Sequence, residues 1–159
     1  MKLDWLTADM RALVEKVNEG QRVAACLYGE ARSEPVQGIV AVANVIRNRV
    51  RQPDRFGPSA SDVVCAPWQF SMWHPKGGER NYQRVLTLMQ SFAEGKQITD
   101  LAARECVGIA QLMLGDYLRD SVKGSTHYLS IKLTERPAWA LGHVPAVQVG
   151  GHAFYNDVR

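Results

Sequence analysis

The chain has 159 residues, of which 46% are hydrophobic and 22% are charged, and its formal net charge is only +3. This length and composition are typical of one soluble globular domain that buries its own core. The small basic excess suits an anionic polymer such as a cell wall, but it is too weak to indicate a nucleic-acid-binding protein. We therefore expect a single domain over residues 1–159 that acts as a monomer.

The cysteines indicate the compartment in which the chain is made. Cys26, Cys65 and Cys106 are widely spaced and form no CxxC pair, which is typical of free thiols in a reducing cytoplasm. The first ten residues lack the apolar stretch of a signal peptide, and no apolar run of about 18 residues occurs. We expect cytoplasmic synthesis without an export signal and no membrane insertion, so that something else must open the membrane before the protein reaches a substrate outside it.

Apolar periodicity predicts helices along the first part of the chain. Thr7 is the predicted N-cap of a first helix, and Gly20 is predicted to interrupt it. Two further helices are predicted, from about 21 to 32 and from about 35 to 51. The buried stripe expected on the third helix consists of Ile39, Ala43, Ile46 and Val50.

The second half of the chain changes from helices to strands. Residues 53–78 are rich in Pro, Gly and Ser and are predicted to form a long loop. A helix follows, and another begins at Thr99, its predicted N-cap, and runs to about Leu118. The inward side chains expected on the first of these two are Tyr82, Val85, Leu86, Met89 and Phe92. After Gly124, the alternating segments STHYLSIKL and AVQVGGHAFY predict a small antiparallel sheet or hairpin. The expected fold class is α+β, mostly helical.

The longest basic run, RNRVRQPDR, contains Arg47, Arg49, Arg51 and Arg55 with a single acid. We interpret it as a solvated helix end. The alternative is a patch that attracts a negatively charged polymer such as a cell wall.

Two glutamates in the segment CLYGEARSEPVQG have different expected environments. Glu30 shares a helix stripe with Val23 and Leu27, and it lies in the last turn of its helix. Burial and the negative end of the helix dipole both disfavour its ionised form, so we expect a raised pKa that suits a general acid.

Glu34 precedes Pro35 near the start of the next helix, where amide donors favour a negative charge. Glycosidic-bond chemistry commonly uses two carboxylates whose pKa values differ in this way. The alternative is structural: Glu34 caps a helix, and Glu30 forms a buried salt bridge. The possible salt-bridge partners are Arg32, Arg47 and Arg49.

Four ordered motifs resemble one family. YGEARSEP followed by GIVAVANVIRNRV, then APWQFSMW, GSTHYL and GGHAFYN are similar to the motifs of SleB-like cell-wall hydrolases, the catalytic domain of spore cortex-lytic enzymes. The resemblance covers about residues 21–156 and is weak between about 76 and 123. Ser33 departs from the family pattern, which usually has Gly there, and this implies a slightly different turn.

The resemblance implies a lysozyme-like fold and cleavage of the β-1,4 bond between N-acetylmuramic acid and N-acetylglucosamine in peptidoglycan glycan strands. It assigns Glu30 as the catalytic acid and implies no cofactor. We expect a lytic transglycosylase, in which one Glu suffices and 1,6-anhydro ends form. The alternative is a hydrolytic muramidase, in which Glu34 is the nearest candidate for the second carboxylate.

Aromatic and amide side chains commonly hold sugar polymers in a groove. One loop supplies Trp68 and the substrate-binding candidates Gln69, Phe70, Ser71 and Trp73. The C-terminal segment supplies His127, Tyr128, His152 and Tyr155. For each aromatic residue, the alternative is ordinary packing in the core or in a strand.

The sequence gives less support to two other function classes. The four histidines show no HExxH spacing, which argues against a zinc amidase or peptidase and against a catalytic metal. A non-catalytic wall-binding module would not need a glutamate on an apolar stripe. The expected biological role is that of a bacteriophage endolysin that lyses the host after the membrane is permeabilised; a bacterial wall-remodelling enzyme is the alternative.

Overall fold

The computed structural model describes all 159 residues. The helices are α1 Ala8–Lys16, α2 Glu19–Ala31, α3 Val36–Val50, α4 Pro53–Phe56, α5 Ala60–Val64, α6 Glu79–Ala93 and α7 Leu101–Leu114. The strands are β1 His127–Ser130, β2 Val147–Val149 and β3 His152–Tyr155, and three short 3₁₀ turns lie at Ser71–Trp73, Pro75–Gly77 and Ala138–Ala140. A mostly helical α+β fold with a small antiparallel sheet is therefore confirmed. No helix combines the length and apolar character that crossing a bilayer requires.

Side-chain caps decide where the first helices begin. Thr7 caps α1 as predicted, because its hydroxyl accepts a hydrogen bond from the Met10 amide at 3.3 Å. The prediction that Gly20 separates the first two helices is wrong. Asn18 and Gln21 form a reciprocal capping box at 2.9 Å in each direction, so α2 begins before Gly20 and includes it.

Two other predicted boundaries are also wrong. Asp100, not Thr99, caps α7 by accepting a hydrogen bond from the Ala103 amide at 3.0 Å, and α7 ends at Leu114 rather than near Leu118. The predicted loop over 53–78 contains α4, α5 and two of the 3₁₀ turns. These elements have three to five residues each, which is too short for an apolar period to be visible.

The main hydrophobic core lies around α2, which packs against α7, α6, α5 and α3. Helix α3 is buried on almost all sides: from Gly38 to Arg49, every residue except Val40 is buried. The predicted four-residue stripe on this helix was therefore too narrow. A helix enclosed in this way holds its neighbours rigidly in place.

The basic run at the end of α3 is not a solvated helix end, because Arg47 and Arg49 are buried. The Arg47 guanidinium donates to the Leu118 carbonyl, and Nε of Arg49 donates to the Thr126 carbonyl at 2.7 Å. Arg51 is exposed and pairs with Asp116. The two buried arginines thus tie α3 to the segment that leads into the sheet.

The sheet has the strand order β1–β3–β2 with antiparallel pairing throughout. Tyr128 on β1 lies opposite Phe154 on β3. A small apolar cluster joins the sheet to α3, and its members are Ala41, Val45, Val122 and Phe154. This packing holds β1 where Tyr128 can reach the end of α2.

Candidate active site

Glu30 lies in the last turn of α2 and keeps only partial exposure. The Tyr128 hydroxyl donates a hydrogen bond to its Oε2 at 2.7 Å, and Oε1 has no protein partner. Burial raises the pKa of Glu30, while the hydrogen bond from Tyr128 and the positive charge of Arg49 offset part of that rise. The predicted direction of the pKa shift is confirmed.

Tyr128 reaches Glu30 across 98 residues of chain. Its ring stacks on Phe154 with centroids 5.6 Å apart and meets the His152 ring edge-on at 5.2 Å. Burial, and next the negative charge of Glu30, raise the pKa of the Tyr128 hydroxyl well above its ordinary value. This hydroxyl therefore stays protonated and acts as a fixed donor to the carboxylate.

Arg49 supplies the positive charge near Glu30 without forming an ion pair with it. Besides its bond to Thr126, the Arg49 guanidinium donates through Nη1 to Oε1 of Gln69 at 3.2 Å. It also lies over the rings of Phe56 and Phe70, 5.2 and 5.3 Å from their centroids. Burial lowers the pKa of Arg49, yet a guanidinium remains charged across the accessible pH range.

The alternative in which Glu30 forms a buried salt bridge is wrong, since no arginine, lysine or histidine pairs with it. Arg32 instead donates to the Tyr28 carbonyl and to the Asn81 side chain. The carboxyl of Glu30 is thus held by one hydroxyl and left free on its other oxygen, which suits a group that must exchange a proton with a ligand.

The carboxylate of Glu34 contacts the turn between β2 and β3 through both of its oxygens. Its Oε2 accepts a hydrogen bond from the Gly151 amide at 3.0 Å, and its Oε1 lies 3.5 Å from Nδ1 of His152. A Cβ added at Gly150 or Gly151 would lie only 2.4 or 2.7 Å from a carboxylate oxygen, so the carboxylate fills space that only glycines leave. Burial lowers the pKa of His152, and the Glu34 charge partly offsets this.

Of the four candidates in the 69–73 loop, the structure exposes Gln69 and Ser71 and buries Phe70 and Trp73. The Trp73 indole donates to the Val64 carbonyl at 2.7 Å and lies in the main core. Phe70 lies beneath the Arg49 guanidinium. Direct substrate contact by these two rings is therefore wrong: both pack in the core and support the loop.

The C-terminal candidates also divide. Tyr155 is fully buried, its hydroxyl has no partner, and its ring packs edge-on against Trp139 at 5.3 Å, so the expected substrate contact by Tyr155 is wrong. His127 is half-buried, and its ring lies 5.0 Å from Trp139. Burial, with Arg49 and Arg55 nearby, lowers the pKa of His127 to about 4. Tyr128 and His152 both lie at the site, as described above.

A shallow pocket of about 370 Å³ has Arg49, Phe56, Gln69 and His127 among its lining residues, whereas Glu30 and Tyr128 do not line it. A larger surface cavity, of about 550 Å³, lies instead at the other end of α2 beside Asn18 and contains no acidic side chain. Cavity size alone would therefore have misplaced the site.

Two residues of the site were not among the sequence candidates. Arg49 was considered as a possible salt-bridge partner and as part of the basic run, but the helix period alone gave no sign that it turns towards Gln69. Trp139 was missed because it lies in a short 3₁₀ turn that shows no apolar period; an aromatic residue two positions after Pro137 was the available signal.

Metal-ligating side chains do not converge in this fold. No group of three or more His, Cys, Asp or Glu side chains is placed to hold a metal ion. His143 pairs with Asp157 at 2.9 Å, and His74 lies in a separate aromatic cluster. All three cysteines are buried and free.

Two solved structures share this fold. The catalytic domain of the Bacillus cereus SleB protein matches with a TM-score of 0.56 and 26% identity, over 86% of this chain and 88% of that one. The catalytic domain of the germination-specific lytic transglycosylase SleB from Bacillus anthracis matches with the same TM-score and identity, over 86% and 93% of the two chains.

Curated relatives match a shorter region. Spore cortex-lytic enzymes of Halalkalibacterium halodurans and Bacillus subtilis are 46% and 43% identical to this chain over 54 residues, which is 34% of the chain. Those matches cover only 16% and 17% of the relatives' own length. The family model described as Cell Wall Hydrolase (Hydrolase_2) matches residues 33–155, which is most of the chain. The chain is therefore a member of the cell wall hydrolase family.

Proposed function

We propose that the chain is a peptidoglycan lytic transglycosylase that cleaves the β-1,4 bond between N-acetylmuramic acid and N-acetylglucosamine, with Glu30 as its single acid and base. One observation carries the proposal. One carboxylate oxygen of Glu30 accepts the Tyr128 hydroxyl at 2.7 Å and the other has no protein partner, whereas both carboxylate oxygens of Glu34 face Gly151 and His152. The likeness to a structure described as a lytic transglycosylase supports the same reaction.

The first half of the reaction uses protonated Glu30. Its raised pKa keeps the proton on the carboxyl at higher pH than an exposed glutamate would, and the unpartnered Oε1 delivers that proton to the glycosidic oxygen. The bond from C1 of the muramic acid to that oxygen breaks, and the N-acetylglucosamine side leaves as an alcohol. As Glu30 becomes an anion, the bond from Tyr128 and the charge of Arg49 stabilise it.

The second half restores Glu30. The anionic carboxylate accepts the proton of the muramic acid 6-hydroxyl while that oxygen bonds to C1, which closes the 1,6-anhydro ring. No water enters the balance, and Glu30 ends protonated, ready for another cycle. Oε2 keeps its hydrogen bond from Tyr128 throughout, so Oε1 can serve both proton transfers.

Glu34 has a supporting role in this scheme. A muramidase would need a second carboxylate about 5–5.5 Å or about 6.5–9.5 Å from the first, free to act as nucleophile or base. Both carboxylate oxygens of Glu34 face the β2–β3 turn, through Gly151 and His152. This commitment favours a single-glutamate mechanism over the muramidase alternative.

Digestion of purified peptidoglycan followed by mass spectrometry of the products tests the proposal. Transglycosylation yields 1,6-anhydro-muramic ends, which lack the mass of one water relative to ordinary reducing ends. Reducing ends would refute it in favour of a muramidase, and free peptides would refute both. The matched Glu30→Gln protein is the control and should yield neither kind of glycan end.

The biological setting we propose is host lysis by a phage endolysin that is made in the cytoplasm and acts on the wall after the membrane is permeabilised. The support is the mild positive charge, which suits an anionic wall. Expression in a bacterial host tests it: lysis should follow a membrane permeabiliser and not expression alone. Lysis before permeabilisation, or lysis equal to that of Glu30→Gln, would contradict it.

A further inference from the structure

An exposed aromatic cluster takes no part in the contacts of Glu30. Trp5, Trp68 and His74, here called the aromatic platform, form three ring pairs. The centroids lie 5.1 Å apart between the tryptophans, 5.2 Å apart between Trp68 and His74, and 6.4 Å apart between Trp5 and His74. Trp68 is 52% exposed, whereas the other two rings are partly buried.

The backbone of Trp68 adopts a conformation that glycine would adopt more easily. Residues 66–69 form a turn closed by a hydrogen bond from the Gln69 amide to the Ala66 carbonyl at 3.2 Å, with Pro67 at its second position. Trp68 occupies the third position with a φ of 59°, where a turn of this kind normally has Gly or Asn. A bulky residue there is strained, and such strain is often found at ligand sites. Folding alone therefore does not explain the tryptophan.

The platform is held firmly from beneath. The Trp5 indole donates to the Cys65 carbonyl at 3.2 Å, and Nδ1 of His74 accepts from the Lys76 amide at 3.1 Å. Both rings that flank Trp68 are thus anchored by their own hydrogen bonds. The Trp68 indole packs against both anchored rings, and this contact reduces the freedom that it would lose on binding a ligand.

Trp68 of the platform belongs to the same turn as Gln69, and Ala66 and Pro67 of that turn line the pocket that Arg49 and Gln69 also line. Trp68 directly precedes Gln69, whose side chain accepts a hydrogen bond from Arg49, and the charge of Arg49 acts on Glu30. A polymer lying across Gln69 would therefore meet the exposed indole next.

We infer that the aromatic platform binds a sugar ring of the peptidoglycan glycan strand, outside the pair of sugars whose bond is cleaved. The three rings present no carboxylate or ammonium group, and the apolar face of a pyranose ring fits against an indole, while its hydroxyl and acetamido groups can reach the free ring nitrogen of His74. The inference rests on the proposed function in taking the glycan strand as the ligand.

Trp68→Gly separates binding from folding. Glycine suits a φ of 59° and removes the indole, so a ligand role predicts weaker binding without a large loss of stability. The assay is co-sedimentation with purified peptidoglycan sacculi, with Glu30→Gln as the parent so that nothing is cleaved. We expect the added Trp68→Gly change to weaken binding about five- to tenfold. The matched control is Tyr117→Ala, since Tyr117 is 79% exposed and forms no aromatic pair, and it should bind as the parent does.

Sacculus binding by Trp68→Gly equal to that of the parent would overturn the inference. So would an equal loss in Tyr117→Ala, or a dimer of the parent that Trp68→Gly abolishes, because the indole would then be a subunit contact. The proposed function fails separately: the products of the active chain identify the bond chemistry whatever the fate of Trp68. In the active chain, Trp68→Gly should slow cleavage of long strands more than that of short fragments, and an equal effect on both would contradict the placement outside the cleaved pair.

Discussion

Removing the Tyr128 hydroxyl tests the proposed chemistry most directly. Tyr128→Phe keeps the ring contacts with Phe154 and His152 and deletes only the 2.7 Å hydrogen bond to Oε2 of Glu30. A hydrogen bond to a charged group contributes about 1.5–3 kcal/mol. Because Glu30 gains its negative charge as the glycosidic bond breaks, most of that energy applies to the transition state. With tenfold in rate for about 1.4 kcal/mol, kcat should fall about 10- to 100-fold while KM changes little.

The pH dependence of the same variant gives an independent readout. The Tyr128 hydrogen bond lowers the pKa of Glu30, so its loss raises that pKa further. Glu30 then stays protonated to higher pH, and the alkaline limb of the kcat profile moves to higher pH. The assay is the release of anhydro-muropeptides from sacculi across a pH series.

Tyr155→Phe is the matched control, because the Tyr155 hydroxyl is buried without a partner. Its removal should leave kcat and the pH profile unchanged and should not lower stability. A Tyr128→Phe protein with the kcat and alkaline limb of the starting chain would refute the role of this hydroxyl.

Three further predictions concern acid chemistry, packing and capping. Glu30→Gln should lower kcat about 10²- to 10⁴-fold. The raised pKa of Glu30 makes the free energy of unfolding fall as the pH rises through that pKa, so this variant should also lose part of the decrease in urea stability between acid and neutral pH. An unchanged decrease would contradict the burial of Glu30. Gly151→Ala would place a Cβ 2.7 Å from Oε1 of Glu34, so it should destabilise the fold by about 1–3 kcal/mol in urea; the double variant with Glu34→Ala should recover part of this, and strict additivity would argue against the contact. Asn18→Ala removes the capping box of α2 and should cost about 1 kcal/mol without altering KM; a Tm equal to that of the starting chain would contradict it.

The local sequence alone determined most of the helical framework. Thr7 and the apolar period that follows specify α1, and the Val23–Leu27–Glu30 stripe orients α2 so that Glu30 faces inward. Both signals depend on neighbours within one or two helix turns. For that reason the general-acid candidate, and the direction of its pKa shift, could be predicted from a short segment.

The predicted helix boundaries were inaccurate where two neighbouring residues gave equivalent start or break signals. Asn18 and Gly20, or Asp100 and Thr99, are alternative helix-start or helix-break residues within two positions of each other. Which residue caps depends on which side chain reaches a free amide, and the structure selects Asn18 and Asp100.

Only the tertiary structure decided what surrounds Glu30. Tyr128 lies 98 residues away in sequence and reaches the carboxylate because β1 packs, through β3, onto α3. Packing also sent Trp73 and Tyr155 into the interior, while Trp68 in the same loop as Trp73 stays exposed. An aromatic side chain is suited equally to a core and to a sugar-binding surface. Its role therefore depends on the long-range contacts that bury it or leave it exposed, and the neighbouring residues in the sequence do not predict those contacts.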